Sequence, residues 1–383
     1  MTNITLFAQI LRLLPKEKIY SLIKSHGCDK FSKGFNTWSH LVSMIFCQFA
    51  GCSSLREISN GLKSATGNLN HLGISRAPSK STLSYQNENR TSDFFRDCYY
   101  LLYNLLGQQC FHKGKQLRIK SPVKLLDSSV IVLCMSIYDW ALYCKEKGAV
   151  KLHTLLDFNT LLPEYVNISD GRGADNTIAY NVPLKRNTIV VADRIYCDFG
   201  LLNLWDSKGV FFVTRHKTKL CYRSLGENEL PQKHHQHILK DEIIELTQTK
   251  TKKKYRKPLR RIVVYNEEKN FTIELVTNNL KLAASTIADL YKKRWEIEIF
   301  FRNLKQQFHI KSFVGTSRNA VEIQLWSALI TMMLMSYIKQ IAKYPWILSN
   351  LIASLRLNTF TKIDLFEWIN EPFTPPPEVS ILF

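Results

Sequence analysis

The chain has 383 residues, room for two or three domains with sizeable cores, and its 45% hydrophobic and 22% charged content excludes general disorder. Its 52 Lys and Arg against 32 Asp and Glu leave a net charge of +20, which favours polyanionic partners: nucleic acid or acidic membrane surfaces. Nine scattered cysteines, never spaced C-x-x-C, argue against a disulfide framework or an ordinary zinc site, and no export leader is evident.

The first hundred or so residues carry helical signals. Leu6, Ile10, Leu13 and Leu14 follow helical spacing, a second segment runs from Lys16 to His26, and Thr37 precedes a long apolar stretch. Ser54 and Glu57 fit a capping box, in which each side chain satisfies an orphan amide. Further helices are expected at Ser81–Arg90 and Asp93–Leu106, after a loop marked by Gly73 and Pro78. Short helices joined by tight turns suit a helix-turn-helix-like DNA module or a plain helical scaffold, and the charge favours DNA. Residues 1–116 are therefore expected to form a helical DNA-binding or scaffold domain.

Near Leu117 the pattern turns to β-branched segments bounded by turns, which predict strands. Asp157 and Asp170 fall in turn sequences and are expected to cap them. A helix is predicted over Asp198–Ser207 and a strand in the segment VFFVTR, giving a mixed sheet with helices on its faces. Residues 215–282 read as a β-rich insertion. Within it, eight of the twelve residues 250–261 are basic, and Lys252, Lys253, Lys254, Arg256 and Lys257 are candidates for contact with DNA phosphates. His234, His235 and His237 have no nearby cysteine and are expected to be loop histidines. Helix returns at Ser285 and continues past Lys305. A further helix runs from about Asn319 to Lys343, and its apolar run Leu325–Ile338, 14 residues long, is too short to span a bilayer and is expected to pack on the sheet. Residues 344–383 are expected to be a tail.

Asp127 stands inside an otherwise apolar strand and Asp193 at the end of another. Unpaired carboxylates there are costly unless a cation compensates them, and carboxylates from adjacent strands suit a hard divalent metal. With Tyr291 at zero on a helical wheel, Arg294, Glu298 and Lys305 fall at about 300°, 340° and 320°, within an arc of about 60°. Ile297, Phe301, Leu304 and Phe308 flank that stripe on one side, Trp295 and Ile299 on the other, so Glu298 is the functional acid and Glu296 a solvated one. A buried Arg–Glu–Lys network tying the helix to the sheet is the structural alternative.

Tyr291-x2-Arg294-x3-Glu298-x6-Lys305 resembles the YREK signature of DDE transposases of the insertion-sequence family four. The resemblance covers about residues 120–343, with Asp127, Asp193-Arg194, a β-rich insertion and the YREK helix in the family's order. It implies an RNase H-like catalytic domain over 117–214 and 283–343, an insertion domain over 215–282, and Asp127, Asp193 and Glu298 as ligands of two Mg²⁺ or Mn²⁺ ions. It implies a transposase that cuts the ends of an insertion sequence and joins the 3′-OH ends to target DNA. Tyr291, Arg294 and Lys305 would hold a phosphate. DNA ends, target DNA and a second copy in a homodimeric synaptic complex would be its partners, in the cytoplasm at the nucleoid. The family motif D-R-G-Y reads Asp193-Arg194-Ile195-Tyr196 here, and no tryptophan occurs between Trp205 and Trp295 to hold a flipped base. Tyr222, Tyr255 and Tyr265 are the remaining stacking candidates. An RNase H-like nuclease or resolvase, or an inactive DNA-binding derivative, is the alternative function.

Overall fold

The computed structural model describes residues 3–65, 67–110, 119–134, 137–144, 147–172, 175–216, 220–230, 237–267, 270–308, 310 and 312–373. Six helices come first: α1 (Leu6–Leu11), α2 (Lys16–Ser25), α3 (Thr37–Ala50), α4 (Leu55–Ser64), α5 (Lys80–Asn89) and α6 (Ser92–Leu105). Their starts follow from local chemistry. Thr5, Asn36, Ser54, Ser79 and Thr91 each accept a first-turn N–H, satisfying amides the helix itself leaves unpaired. Ser54 plays its expected part at 3.2 Å, but Glu57 accepts from the Ser53 N–H rather than that of the cap residue. α3 ends at Gly51, whose φ of 69° only glycine adopts cheaply.

A sheet follows, built from β1 (Val123–Leu133), β2 (Leu142–Cys144), β3 (Lys147–Asp157) and β4 (Pro163–Asp170), then α7 (Asp175–Ala179), β5 (Ile189–Ala192), α8 (Phe199–Ser207) and β6 (Phe211–Arg215). β7 (Tyr222–Glu227), β8 (Ile238–Leu246), α9 (Thr249–Lys254), β9 (Leu259–Asn266) and β10 (Phe271–Thr277) complete it. The ten strands form one sheet in the order β2-β3-β1-β5-β6-β10-β9-β8-β7, with β4 also paired to β3. β1, β3 and β4 make an antiparallel meander, while β5 runs parallel to β1, and β6 parallel to β5. The strands of the expected insertion continue this sheet, since β10 pairs antiparallel with β6. The turn after β3 is capped as expected: Asp157 Oδ1 accepts from the N–H groups of Asn159 and Thr160 at 3.0 and 2.9 Å. His234 and His235 lie outside the described residues, and His237 faces Glu267 at 3.5 Å.

Side chains alternate across each strand, so the two faces differ in content. Leu126, Leu155, Val190, Ala192 and Phe212 form one buried cluster with Leu201, Leu202 and Trp205 of α8. Leu125, Asp127 and Val191 point to the other face. Two helices follow the last strand: α10 (Ala284–Lys293), which packs on β5, β6, β8 and β9, and α11 (Trp295–Gln307). The continuous helix expected here is interrupted at Arg294, whose N–H bonds the carbonyl of Tyr291 three residues back, tightening one turn. Its backbone stays helical at φ −52°, ψ −29°, so Arg294 and Glu298 remain on one face.

The chain ends in α12 (Arg318–Ile341), α13 (Leu348–Leu357) and α14 (Leu365–Asn370). α12 packs on α3, α5, α6 and α13, not on the sheet as its apolar run suggested. At 24 residues it is longer than that run and long enough to cross a membrane, but 83% of its apolar window is buried among these helices. α13 and α14 bury Leu351, Leu355 and Leu365 in the stretch expected to be a tail. The chain divides into a helical unit, Met1–Cys110 with Asn303–Phe383, and a sheet unit, Phe111–Arg302.

Candidate active site

β1 and β5 run side by side with Leu126 opposite Ala192, the last paired position. Asp127 and Asp193 are the next residue on each, so the two carboxylates stand on adjacent extended segments and on the same face. Thr214, opposite Ala192 on β6, donates from its hydroxyl to the Asp193 carbonyl at 3.1 Å and fixes the strand end. Arg215 follows Thr214, which continues the row as Asp127, Asp193, Arg215 across three neighbouring strands. Sequence reasoning missed Arg215; its signal was a basic residue closing the strand VFFVTR, parallel to the two that carry the acids.

The α10–α11 junction brings the other groups. Arg294 Nη2 donates to Glu298 Oε1 at 2.6 Å, and its Nη1 lies 3.7 Å from Asp127 Oδ2. The guanidinium sits 5.8 Å from the centre of the Tyr291 ring. Tyr291, Arg294, Glu298 and Asp127 are thus brought together, and Asp193 is close enough to act on Asp127, Tyr291 and Arg294 electrostatically. Lys305 lies seven residues beyond Glu298 on α11, about two turns further along the axis. Trp295, expected to pack beside the stripe, is 51% exposed.

Burial pushes the Asp127 carboxyl up to about 6; the charges of Asp193 and Glu298 add to that, while the Ser128 N–H at 2.8 Å and Arg294 oppose it. Burial also raises the Tyr291 phenol, with Asp193 adding and Arg294 and Arg215 opposing. For Arg294, burial works against the charge, but the hydrogen bond to Glu298 and the nearby anions hold its value above the ordinary one. The site is therefore an anionic cluster with one partly buried cation set into it.

That donor set fits a hard divalent metal in kind: three carboxylates, two on adjacent strands, with one already disfavoured as an anion chiefly by burial. In placement it is incomplete. Among the described residues no three His, Cys, Asp or Glu side chains are grouped to hold a metal, and Glu298 is paired with Arg294.

On the opposite face of β1, Ser128 Oγ donates to Asp175 Oδ1 at 2.6 Å, and Lys151 Nζ and His153 Nδ1 approach the same oxygen at 3.3 and 3.5 Å. Burial pushes His153 down to about 4, Lys151 adds to this, and Asp175 opposes it, so the ring is neutral. Tyr196, which ends the Asp193-Arg194-Ile195-Tyr196 run, is buried on this same side. Apart from Tyr196, which ends that motif, none of these residues was singled out from the sequence.

The basic run divides. The helix α9 carries part of it. Lys252 pairs with Glu245 at 2.8 Å, Lys254 with Asp198 at 3.5 Å and Lys257 with Asp206 at 2.7 Å. Arg260 and Arg261 are committed to Asp241 and Glu242. Lys250, Lys253 and Arg256 make no ion pair among the described residues. Of the stacking candidates, Tyr255 is 1% exposed and lies in the core cluster, so no base can reach it. The Arg261 guanidinium lies 5.2 Å over the Tyr222 ring, and the Tyr265 hydroxyl donates to Asn270 Oδ1 at 2.6 Å.

Two acids at the ends of neighbouring parallel segments, a third on a following helix and further strands of the same sheet between them define a class, and comparison with known families names it. The transposase DDE domain matches residues 119–334, more than half of the chain, and the chain belongs to that family of metal-dependent, DNA-acting enzymes. A domain of unknown function, DUF4372, matches residues 2–75. Among relatives, "Putative transposase y4zB" of Sinorhizobium fredii is 29% identical over 66% of this chain and 70% of its own length. "Probable transposase for insertion sequence element IS5377" of Geobacillus stearothermophilus is 28% identical over 58% of each chain. "Putative transposase for insertion sequence element IS4SA" of Synechocystis is 22% identical over 76% of this chain and 81% of its own.

Proposed function

We propose that this DDE transposase cuts the ends of an insertion sequence and joins the freed 3′-OH ends to target DNA, using Asp127, Asp193 and Glu298 to hold two Mg²⁺ or Mn²⁺ ions. The observation that carries the proposal is that Asp127 and Asp193 each follow the last β1–β5 pair, Leu126 and Ala192, on the face where Arg294 links Asp127 to Glu298 of α11. The antiparallel meander followed by two strands parallel to its first supports an RNase H-like sheet. The catalytic domain in this reading is residues 117–214 and 283–343, and residues 215–282 are an insertion whose strands extend the same sheet; the family match runs through both without dividing them.

Bound divalent metal supplies Lewis acidity that activates the attacking oxygen and steadies the leaving one. The protein's own groups do the rest. Asp127 and Asp193 fix two oxygen ligands on rigid strands, and Glu298 adds the third from a helix that can adjust its side chain. Arg294 grips a non-bridging phosphate oxygen through its fork, with Arg215 and Lys305 as further cations and the Tyr291 hydroxyl as a hydrogen-bond donor. No side chain is required to form a covalent bond to DNA. Two copies act at the nucleoid, one per element end, and the helical N-terminal region contacts DNA.

The test is Mg²⁺-dependent cleavage of a labelled end fragment beside a gel shift on the same DNA. Asp127→Asn, Asp193→Asn and Glu298→Gln are each expected to lower cleavage by at least about 10³-fold while binding changes little. Glu296→Gln is expected to stay active. Activity in Glu298→Gln together with loss in Glu296→Gln would overturn the assignment.

A further inference from the structure

We propose that Arg294 gates the metal site: in the DNA-free protein it holds Glu298 aside, and a DNA phosphate that takes over the guanidinium releases Glu298 to complete the ligand set. The inference rests on the metal-site assignment above and adds an order of events to it.

The geometry gives three reasons. First, Arg294 lies among the proposed ligands and not beside them: Nη2 is 2.6 Å from Glu298 and Nη1 is 3.7 Å from Asp127. A cation there offsets the same negative charge that a metal would, so the two compete. Second, its Nε is buried with no hydrogen-bond partner. Nε and Nη2 form the fork edge that matches two oxygens of a phosphate, and at present only Nη2 is used. A buried donor left unpaired is costly, so a ligand that satisfies both atoms has an advantage over Glu298 alone. Third, the Tyr291 ring beneath the guanidinium, at 5.8 Å, provides a surface on which it can turn between partners without leaving the site.

The alternative is a simple helix staple. Exposed i,i+4 ion pairs stabilise a helix by only about 0.3–0.5 kcal/mol. This pair is different in placement: Arg294 is 16% exposed and also faces an acid on another element. A staple would leave metal affinity unchanged by DNA, whereas a gate couples the two. Coupling is reciprocal, so DNA should tighten metal binding by the factor by which metal tightens DNA. For the element such a device suppresses stray cutting, since the metal site is complete only when a phosphate is present.

The experiment is titration of the full chain with Mn²⁺, following free ion by electron paramagnetic resonance, with and without a short DNA duplex at low salt. In the wild type the duplex is expected to tighten Mn²⁺ binding about tenfold. Arg294→Gln should bind Mn²⁺ about that tightly without duplex, and the duplex should then add less than about twofold. Arg294→Lys retains the charge but not the fork, so it should bind weakly without duplex and gain less than about threefold from it. This variant decides the matter if Arg294→Gln does not fold. Wild-type Mn²⁺ affinity that ignores the duplex, or full coupling retained in both variants, would overturn the gate. Asp127→Asn separates the two claims: if it binds Mn²⁺ as the wild type does, the metal-site assignment itself fails.

Discussion

Asp127 and Ser128 are neighbours in sequence and stand on opposite faces of one strand. Beneath the sheet, Ser128 belongs to a network in which Asp175 accepts from a hydroxyl and is approached by an ammonium and an imidazole. Above it, Asp127 shares one guanidinium with Glu298 and keeps a carboxyl pushed up to about 6. On the lower face the Asp175 carboxylate has a lysine and a hydroxyl against it, although His153 Nδ1 and the Tyr196 hydroxyl make no hydrogen bond, whereas the upper face gathers three carboxylates around one guanidinium. A fold relieves such an imbalance wherever it has no use for it, so its persistence on one face marks the working side of the sheet.

Opening the lower network should have the largest effect on stability. Asp175→Asn removes the carboxylate that Lys151 meets at 3.3 Å, in a pocket where Asp175 is 9% exposed. Breaking a buried pair from one side is expected to cost about 4 kcal/mol, read as a lower denaturant midpoint. Cleavage per folded molecule should be nearly unchanged. A variant of normal stability but poor activity would move Asp175 to the working side.

The upper face should respond in the opposite sense. The Asp127 carboxyl at about 6 lies above its ordinary value of 3.8, so the folded protein holds that proton more tightly than the unfolded chain does. The stability it contributes is full below about pH 4 and is lost as pH rises through about 6. Asp127→Asn, melted in chelator, should therefore gain up to about 3 kcal/mol at pH 7, and the gain should vanish toward pH 4. A destabilised Asp127→Asn at pH 7 would mean that Arg294 fully compensates the charge.

Much of this asymmetry was legible in the residue order, because strand alternation and the 100° helical step are local rules. Asp127 inside an apolar strand, Asp193 at the end of another and the Tyr291–Lys305 stripe all identify groups whose burial needs a reason. The network at Ser128 was not legible. Asp175 carried no signal in the sequence and His153 reads only as a strand residue; it is β1–β3 pairing that sets Ser128 opposite His153. The helix break at Arg294 was equally hidden, since a single tightened turn leaves the apolar period intact. α12 was misplaced for a related reason: an apolar run shows that a helix is buried but not what buries it.

The basic run 250–261 carries the same contrast onto the surface at smaller scale. Lys252, Lys254 and Lys257 face Glu245, Asp198 and Asp206, whereas Lys250, Lys253 and Arg256 have no carboxylate within ion-pair reach among the described residues. A lysine already paired releases little when a phosphate arrives, because the chain's own carboxylate must first be given up. Removing one cation that neutralises a phosphate should reduce the slope of log affinity against log salt by about 0.9. Neutralising Lys250, Lys253 and Arg256 together is therefore expected to lower that slope by about 2–3, and neutralising the paired trio by less than about 1. Filter binding of an end fragment across a salt series distinguishes the two. Equal slopes for both variants would show that DNA strips the lysines from their carboxylates. Glu245, Asp198 and Asp206 would then hold those side chains in position for DNA, and the ion pairs seen in the free protein would be a resting arrangement that binding exchanges.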